Sequence, residues 1–489
     1  MATKEQLKEE RAQAWREELR KSKKNKERTE TPRVKMNELD PKYRITCNEE
    51  VNCGLTKEQA LLEATRCLDC PDPTCMQGCP VGINIPKFIK NIERGEFALA
   101  AQAIKETSSL PAVCGRVCPQ EKQCESKCIH LKMGKEAVAI GYLERFAADY
   151  ERENGLMQVP PMKESNGIKI AVVGSGPAGL AFANDMAKLG YDVTVFEALH
   201  EIGGVLKYGI PEFRLPNEIV DAEVNIMKQM GVTFMPNIVV GKTISYEDIH
   251  EMGFSGIFVG SGAGLPRFMN IPGENLIGVM SANEYLTRIN LMGAGRPDSA
   301  TPVLNGKNIA IIGGGNTAMD SVRTAKRMGA ERAMIVYRRS LEEMPARVEE
   351  IHHAMEEGVE FLTLHNPIEY RGDEKGRVTQ MLLQKMELGE PDASGRRSPV
   401  EIPGATELID VDVVVVSVGV SPNPLIPSSI KGLDVSKWGT VIVNEETMQS
   451  DVKDLFAGGD IVRGGATVIL AMGDGRRAAE NMDKYLQQK

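Results

Sequence analysis

Cysteine shows the clearest chemical pattern in this chain. All ten cysteines lie between Cys47 and Cys128. Eight of them form two short runs, CxxCx4Cx3CP at Cys67, Cys70, Cys75 and Cys79, and Cx3CPx4Cx3C at Cys114, Cys118, Cys124 and Cys128. Thiolates at such spacings can bind successive iron atoms of a cubane, and bacterial ferredoxin runs also place Pro after a ligand Cys. The spacing therefore predicts iron-sulfur chemistry.

Zinc is the main alternative for these thiols, because two four-thiolate zinc sites would also use eight cysteines. The two Cys-Pro pairs and the nucleotide-binding motifs further along the chain favour redox clusters. A disulfide framework is typical of small secreted chains and does not fit a chain of 489 residues. Cys47 and Cys53 lie outside the spacing, and we expect them to be buried and inert.

The first glycine-rich turn belongs to a strand-turn-helix-strand unit at residues 168–198. Gly174, Gly176 and Gly179 form GxGxxG directly after the strand IKIAVV. These glycines permit a tight turn, let a pyrophosphate approach the backbone and let helix and strand pack closely. Glu197 ends the second strand, where a carboxylate can accept hydrogen bonds from ribose hydroxyls. The unit therefore predicts a dinucleotide site, with the phosphates at the helix start.

A second unit at residues 308–339 follows the same plan but differs where nucleotide specificity is set. Its second strand ends in Arg338 and Arg339 instead of a carboxylate. A carboxylate would repel a 2′-phosphate, whereas guanidinium groups pair with it bidentately. This site is therefore predicted to bind NADP. Its candidate residues are Gly313, Gly315, Asn316, Thr317, Arg338 and Arg339.

The C-terminal segment, residues 451–482, is predicted to form a strand, a glycine-rich turn and a helix that starts near Thr467. It resembles the C-terminal FAD motif of two-dinucleotide-domain flavoproteins, which implies that Asp460 holds the ribityl chain. A helix N-terminus beside the flavin would stabilise negative charge on its reduced pyrimidine ring. The first site is therefore predicted to bind FAD. Its candidate residues are Gly174, Gly176, Pro177, Ala178, Gly179, Glu197, Gly204, Arg214, Gly459, Asp460, Thr467 and Val468.

These motifs predict an α/β protein with two nested Rossmann-like dinucleotide-binding domains, for FAD and NADP, preceded by an α-helical cysteine-rich iron-sulfur domain. The predicted parts are a charged arm (1–44), the helical domain with two 4Fe-4S clusters (45–150), a linker (151–167), the FAD domain (168–302 and 418–489) and the inserted NADP domain (303–417). The arm carries fourteen Lys and Arg against nine Asp and Glu. It is predicted to be a solvated helix and tether, with partner docking left open by Trp15.

Composition narrows the class of partner. A net charge of −9 argues against a nucleic-acid partner. No apolar run approaches the roughly 18 to 20 residues that span a bilayer, and the first residues have no apolar signal-peptide core. We therefore expect a cytoplasmic protein that binds no membrane, and the sequence allows a homo-oligomer. Disulfide reductases of this architecture need a cysteine pair beside the flavin. Since no cysteine follows Cys128, that class is excluded unless the N-terminal domain folds over the flavin.

Together, the motifs from about residue 35 to 485 resemble the small (beta) subunit family of NADPH-dependent glutamate synthase. That family also includes the large subunit of NADH-dependent ferredoxin:NADP oxidoreductase and the N-terminal half of dihydropyrimidine dehydrogenase. The resemblance implies that the ligands interleave between the two runs. One cluster would be held by Cys67, Cys70, Cys75 and Cys128, and the other by Cys79, Cys118, Cys124 and Glu144. Counting thiolates alone leaves Cys114 as the rival to Glu144.

The resemblance implies an NADPH-dependent FAD and iron-sulfur oxidoreductase without a side chain acting as general acid or base. Electrons from NADPH would pass through FAD and the clusters to a partner that makes glutamate from glutamine and 2-oxoglutarate. The first alternative is the large subunit of an electron-bifurcating transhydrogenase, whose partners are a small flavin subunit and ferredoxin. The second is a non-enzymatic redox-sensing iron-sulfur protein.

Overall fold

Short helices build the N-terminal third of the molecule, because glycine, proline and cysteine interrupt any longer helical pattern. The structure, a computed structural model, describes residues 3–488. The elements of this part are α1 (Lys4–Arg11), α2 (Ala14–Ser22), α3 (Asn25–Glu30), β1 (Asn37–Glu38), α4 (Pro41–Arg44), β2 (Asn52–Gly54), α5 (Lys57–Ala64), α6 (Thr74–Gln77), α7 (Ile85–Glu93), α8 (Phe97–Lys105), α9 (Pro111–Val117), α10 (Ile129–Lys132) and α11 (Ile140–Glu153). Helices α7, α8, α9 and α11 pack around a common apolar core.

The N-terminal arm packs against this helical domain. Arg16 and Arg28 are buried, although a solvated arm was the expectation. Arg16 pairs with Asp69 in the first cysteine run, and Arg28 binds Glu93 at 2.8 Å. The guanidinium carbon of Arg94 lies 3.9 Å from the ring centre of Trp15. The prediction of a solvated arm is wrong for Arg16 and Arg28, because their carboxylate partners lie more than fifty residues further along the chain.

A parallel five-stranded sheet forms the first dinucleotide domain. Its N-terminal elements are β3 (Lys169–Val173), α12 (Pro177–Lys188), β4 (Asp192–Phe196), α13 (Val205–Tyr208), α14 (Asn217–Gln229), β5 (Thr233–Met235), α15 (Tyr246–Glu251) and β6 (Phe254–Val259). β3 is buried on both faces, as its run of β-branched residues predicts for a central parallel strand. The carboxyl ends of β3 and β4 carry the glycine-rich turn and Glu197.

The second dinucleotide domain is inserted between two short strands that pair antiparallel, β7 (Leu265–Pro266) and β16 (Val420–Ser421). Between them lie β8 (Val279–Ser281), α16 (Ala282–Leu286), β9 (Asn308–Ile312), α17 (Asn316–Arg327), β10 (Arg332–Tyr337), α18 (Val348–Glu356), β11 (Glu360–Thr363), β12 (His365–Gly372), β13 (Val378–Pro391), β14 (Arg397–Asp410) and β15 (Val413–Val416). The five parallel strands have the order β11-β10-β9-β15-β8, and β12, β13 and β14 form a separate antiparallel sheet.

The predicted boundary at residues 302 and 303 is therefore wrong. β8 pairs in parallel with β15, and Met280, Tyr285 and Leu286 belong to the core of the second domain. The insertion accordingly spans the residues between β7 and β16. A three-residue strand carries too little periodicity to show which sheet it joins, because its partner lies more than a hundred residues away.

The chain returns to the first domain with α19 (Leu425–Ser429), β17 (Leu455–Ala457), α20 (Asp460–Arg463) and α21 (Val468–Leu486). The completed sheet has the order β17-β6-β3-β4-β5. α21 packs closely along α12, since a Cβ on Gly475 would lie 2.3 Å from Ala178 O. The predicted nesting of two dinucleotide-binding domains behind a helical domain is confirmed. Within residues 3–488, no helix combines the length and apolarity needed to cross a bilayer.

Candidate functional site

The first group of thiols lines a small cavity of about 30 Å³. Its cysteines, here called cysteine site 1, are Cys67, Cys70, Cys75 and Cys128. Thr74 Oγ1 donates to Lys127 O at 2.6 Å, which brings the two cysteine runs together. Burial, and then the charges of Cys67 and Cys128, raise the pKa of the Cys70 thiol to about 12. Converging thiols that resist ionisation need a positive centre to become thiolates, so the donor set fits iron.

The second group, cysteine site 2, consists of Cys79, Cys118, Cys124 and Glu144. Burial, followed by the charge of Glu144, raises the pKa of Cys79 to about 12. Burial, followed by the charges of Glu125 and then Glu144, raises the pKa of Cys124 well above its ordinary value. For Cys118 the first cause of its raised pKa is a hydrogen bond with Cys114, followed by burial and then by Glu144. The Glu144 carboxylate is thus close enough to act on all three thiols, and it also acts on Cys114.

Glu144 has the features of a metal ligand. Its Oε1 is buried and lacks a hydrogen-bond partner among the described residues. Burial raises the pKa of its carboxyl group to about 8, with no cation offsetting the rise. The rival, Cys114, is fully buried and its Sγ lies 3.4 Å from Met472 Sδ. A buried carboxylate is costly unless it is paired or bound to metal, so the second donor set also fits a cluster.

Cys47 and Cys53 do not match the expectation of buried cysteines, because the first is half-buried and the second exposed. Their sulfurs lie near backbone carbonyls of their own segment.

The predicted FAD turn has the geometry that its glycines predict. Gly174 has φ +98°, and a Cβ on Gly179 would lie 2.0 Å from Gly174 O. Gly176 caps α12, with Pro177 and Ala178 opening the helix. The Glu197 carboxylate accepts hydrogen bonds from the backbone N–H and the hydroxyl of Ser175, at 2.8 and 2.6 Å. Gly204, at φ +56°, lies against Gly176.

The C-terminal motif meets this turn from the other side. Gly459 has φ +77°, and a Cβ there would lie 3.0 Å from the Ala178 side chain. Asp460 accepts a hydrogen bond from Ala466 N at 2.8 Å, and Thr467 caps α21, whose first residue is Val468. The predicted FAD residues other than Arg214 thus lie around two helix starts, an arrangement that fits a dinucleotide.

Arg214 lies elsewhere. Its Nη1 contacts both oxygens of Asp320 at 2.7 Å, and its Nε lies 3.2 Å from Glu350 Oε1. Both carboxylates belong to the inserted domain, and all three side chains are buried. In the structure Arg214 therefore joins the two dinucleotide domains, instead of contributing to the cleft predicted for FAD.

In the predicted NADP turn the backbone at Gly315 is also accessible to a ligand. Gly313 has φ +141°, where a Cβ would lie 2.3 Å from Ser417 O, whereas nothing lies within 4 Å of a Cβ on Gly315. Asn316 and Thr317 open α17, and Asn316 Oδ1 accepts a hydrogen bond from Arg347 N at 2.8 Å.

The two arginines at the end of β10 differ. Arg338 is exposed beside the turn, as a phosphate ligand would be. Arg339 is buried, and its guanidinium donates to Asp392 Oδ2 at 2.5 Å and to Arg397 O at 2.8 Å. The guanidinium that we predicted to bind a 2′-phosphate is therefore paired with a carboxylate in the turn between β13 and β14.

The helical domain contacts α21 of the first dinucleotide domain through residues that the sequence did not single out. Gln123, between Cys118 and Cys124, donates to Thr467 Oγ1 at 3.3 Å. A Cβ on Gly473 would lie 3.1 Å from Pro80 O, directly after Cys79. Cysteine site 2 thus borders the first two turns of α21. A glycine within a helix, such as Gly473, indicates that another part of the chain packs closely there. The sequence does not show that this part is Pro80.

Asp474 and Arg347 were also missed. Asp474 is fully buried and binds Gly459 N at 3.1 Å and Arg463 Nε at 2.6 Å, which fixes the turn before α21. Arg347, at the start of α18, donates to Gln120 Oε1 and Arg116 O, each at 2.8 Å, beside cysteine site 2. A carboxylate on the apolar face of a predicted helix indicates a structural role, so the sequence could have revealed Asp474. No local pattern indicates a role for Arg347.

Comparisons with known proteins agree with this architecture. Residues 44–156 match the dihydropyrimidine dehydrogenase domain II, 4Fe-4S cluster family, and residues 168–475 match the pyridine nucleotide-disulphide oxidoreductase family. The structure of FprA from Mycobacterium tuberculosis in complex with NADPH is 21% identical, covers 66% of this chain and 85% of that chain, and has a TM-score of 0.56. Fold and site thus define an oxidoreductase with two dinucleotide-binding domains and an iron-sulfur domain.

Relatives among characterised proteins give the more particular assignment. The glutamate synthase (NADPH) small chain of Azospirillum brasilense is 35% identical over 90% of this chain and 92% of its own length. The chain of that name from Escherichia coli is 35% identical over 90% and 94%. The NADPH-Fe(3+) oxidoreductase subunit beta of Geobacter sulfurreducens is 37% identical over 85% of this chain and 64% of its own length. This chain belongs to the family of the glutamate synthase (NADPH) small chain.

Proposed function

We propose that this chain oxidises NADPH and delivers the electrons to a partner subunit that makes glutamate from glutamine and 2-oxoglutarate. The observation that carries the proposal is the contact between cysteine site 2 and the start of α21, through Gln123 and Thr467. It joins a redox centre to the predicted flavin site within one chain. Bound FAD would accept hydride from NADPH, and two 4Fe-4S clusters would carry electrons singly.

The chain's own residues bind and orient the dinucleotides. The helix starts of α12 and α17 offer free N–H groups to two pyrophosphates, while Glu197 is oriented toward a ribose by Ser175. Arg338 would pair with the 2′-phosphate of NADPH. The start of α21 would place a positive helix end beside the flavin pyrimidine ring. Positioning supplies the catalysis here, since hydride transfer needs no acid or base side chain.

The relatives support the partner assignment. Two share the glutamate synthase small-chain name over nearly their full length. Others carry a beta-subunit name in different enzymes, such as the NADP(+)-dependent formate dehydrogenase of Moorella thermoacetica. An NADPH-oxidising module that serves several partners accounts for both sets of names.

The electron donor is tested by anaerobic titration of the purified protein with NADPH and with NADH while flavin absorbance is followed. We expect about eight iron atoms and one FAD per chain, with bleaching at far lower NADPH than NADH concentrations. Arg338→Glu should raise the NADPH concentration that bleaches the flavin by roughly 10- to 100-fold, because one bidentate contact is lost. The NADH concentration that bleaches it should change little. Arg377→Glu, an exposed arginine of the same domain, is the matched control. Zinc in place of iron, or equal response to both nucleotides, would contradict the proposal.

The partner is tested by mixing the protein with a glutamate synthase large chain and measuring glutamate formed from glutamine, 2-oxoglutarate and NADPH. Glutamate should form only when both chains are present. NADH-coupled reduction of ferredoxin, with no glutamate, would instead identify the transhydrogenase.

A further inference from the structure

Three side chains with metal-ligating atoms converge outside the dinucleotide and cysteine sites. They are Glu38 of β1, in the N-terminal arm, and His353 and Glu356 of α18, in the inserted domain. One ligand atom from each lies within 4.8 Å of the others. His353 and Glu356 are three residues apart and therefore share one face of the helix. The cluster thus joins two parts of the chain that are more than three hundred residues apart.

His353 is the unusual member of this cluster. It is 3% exposed, and its Nδ1 has no hydrogen-bond partner among residues 3–488. Its Nε2 lies 3.2 Å from Glu38 Oε2. A buried polar group without a partner is destabilising, so such an imidazole needs a reason to be there. Coordination of a cation would satisfy the ring nitrogen directly.

The cluster lies in the wall of a cavity of about 310 Å³, the space between α18 and the helical domain. The charged side chains around this cavity are Glu38, Glu121, Glu125, Glu349 and Glu356 against Arg33 and Arg347. Carboxylates therefore outnumber guanidinium groups, which favours a cation. The volume also leaves room for water molecules to complete a coordination sphere.

Arg44 is a cation already present at both carboxylates. Its Nη2 binds Glu356 Oε2 at 2.9 Å, and its Nη1 lies 3.7 Å from Glu38 Oε2. Arg44 Nε also binds Glu357 Oε1 at 2.8 Å, so its charge is not given to Glu38 and Glu356 alone. Oε1 of Glu38 and Oε1 of Glu356 have no hydrogen bond to any described residue and stay available as ligands.

We propose that Glu38, His353 and Glu356 bind one divalent transition-metal ion of the Zn²⁺ class. One imidazole nitrogen and two carboxylate oxygens form a ligand set that zinc accepts, with water in the remaining position. Since Glu38 belongs to the arm and the other two ligands to the inserted domain, the ion would fasten the NADP-binding domain to the segment that precedes the cysteine runs.

The test uses the anaerobically purified protein with its iron and flavin intact. Wild type and variants are dialysed to equilibrium against micromolar Zn²⁺ alone, and zinc and iron per chain are measured by mass spectrometry. We expect one zinc per wild-type chain with iron unchanged. His353→Gln and Glu356→Gln should each bind zinc at least tenfold more weakly, as the loss of one ligand predicts.

His352→Gln is the matched control, because His352 lines the same cavity and is exposed but lies outside the cluster. It should bind zinc like wild type. Glu356 is half exposed, so Glu356→Gln is expected to fold even if His353→Gln does not. The proposal is overturned if wild type binds no zinc, if zinc appears only as iron is lost, or if a folded Glu356→Gln variant binds it as tightly as wild type.

Discussion

The two cysteine sites share a chemistry but differ in their surroundings. In site 1, Cys70 and Cys75 are partly exposed, and the cavity is otherwise lined mainly by apolar side chains. In site 2 every thiol is buried, and the surrounding elements come from the flavin domain, through α21, and the inserted domain, through Arg347. Site 2 therefore lies between domains, and site 1 approaches the surface.

This difference gives the proposed electron path a direction. Site 2, which touches the helix predicted to bind the flavin, is the one from which solvent is excluded, whereas site 1, near the surface, can meet a second protein. Burial and neighbouring charge tune a cluster's potential, so the two sites are also expected to differ in reduction potential.

The largest effect is expected from removing one cysteine of each site. Cys75→Ser should abolish the 4Fe-4S signal of site 1 while NADPH still reduces site 2. Cys124→Ser should abolish the signal of site 2 and also block NADPH reduction of site 1, because site 2 is the nearer to the flavin domain. Electron paramagnetic resonance after NADPH and after dithionite separates the two cases. Cys53→Ser, at an exposed cysteine outside both runs, is the control. Normal NADPH reduction of site 1 in Cys124→Ser would reverse the direction.

The second largest effect is expected at the fourth ligand of site 2, and it shows whether that ligand is the carboxylate of Glu144 or the thiolate of Cys114. Glu144→Ala should lose the site 2 cluster signal and about four of about eight iron atoms, whereas Cys114→Ala should keep both. The reason is that Glu144 Oε1 is buried without a partner, while Cys114 already contacts Cys118 and Met472. The opposite pattern of iron loss would identify Cys114 as the fourth ligand.

The third effect is a severalfold difference between the two sites in the rate at which a chelator removes iron. An iron chelator added to the oxidised protein should remove iron from site 1 before site 2, because two thiols of site 1 are partly exposed. The iron–chelator complex should form in two phases, with the site 1 resonance lost in the faster one. A single phase that depletes both signals together would mean that exposure of the thiols does not control access.

The smallest effect concerns the charge beside site 2. The positive charge of Arg347 favours the ionised form of Cys118, so Arg347→Gln should make site 2 harder to reduce. We expect a shift of tens of millivolts, the order of one unit charge at an effective dielectric constant of about 20, and a smaller shift at site 1. Arg347→Lys keeps the charge and is the control. Redox titration gives both potentials, and equal shifts at the two sites would remove Arg347 as the cause.

Local features were the predictable ones. The glycines of both turns have the backbone angles and close contacts that their motif requires, because a tight turn into a helix is fixed by a few consecutive residues. The proposed grouping of eight cluster ligands interleaves two distant runs, so spacing alone left it open, and only the family resemblance implied it.

What the sequence could not show were pairings between distant residues. Arg214, Arg339 and the arm's Arg16 all have carboxylate partners at least fifty positions away. Arginine in a polar stretch is usually solvated, so composition favoured the wrong prediction for the arm. The boundary near residue 302 failed for the same reason, since β8 is assigned to its sheet only by its distant partner.

The packed arm also has a consequence for biosynthesis. Arg11, Arg16 and Arg20 bind the backbone or carboxylate of Asp69, and Arg28 reaches the carbonyls of Thr65 and Cys67. These arginines leave the ribosome before the loop that they bind has been made. The arm can therefore dock only after that loop has been made. A truncation at this end should lower the iron content of the purified protein and leave its flavin content intact.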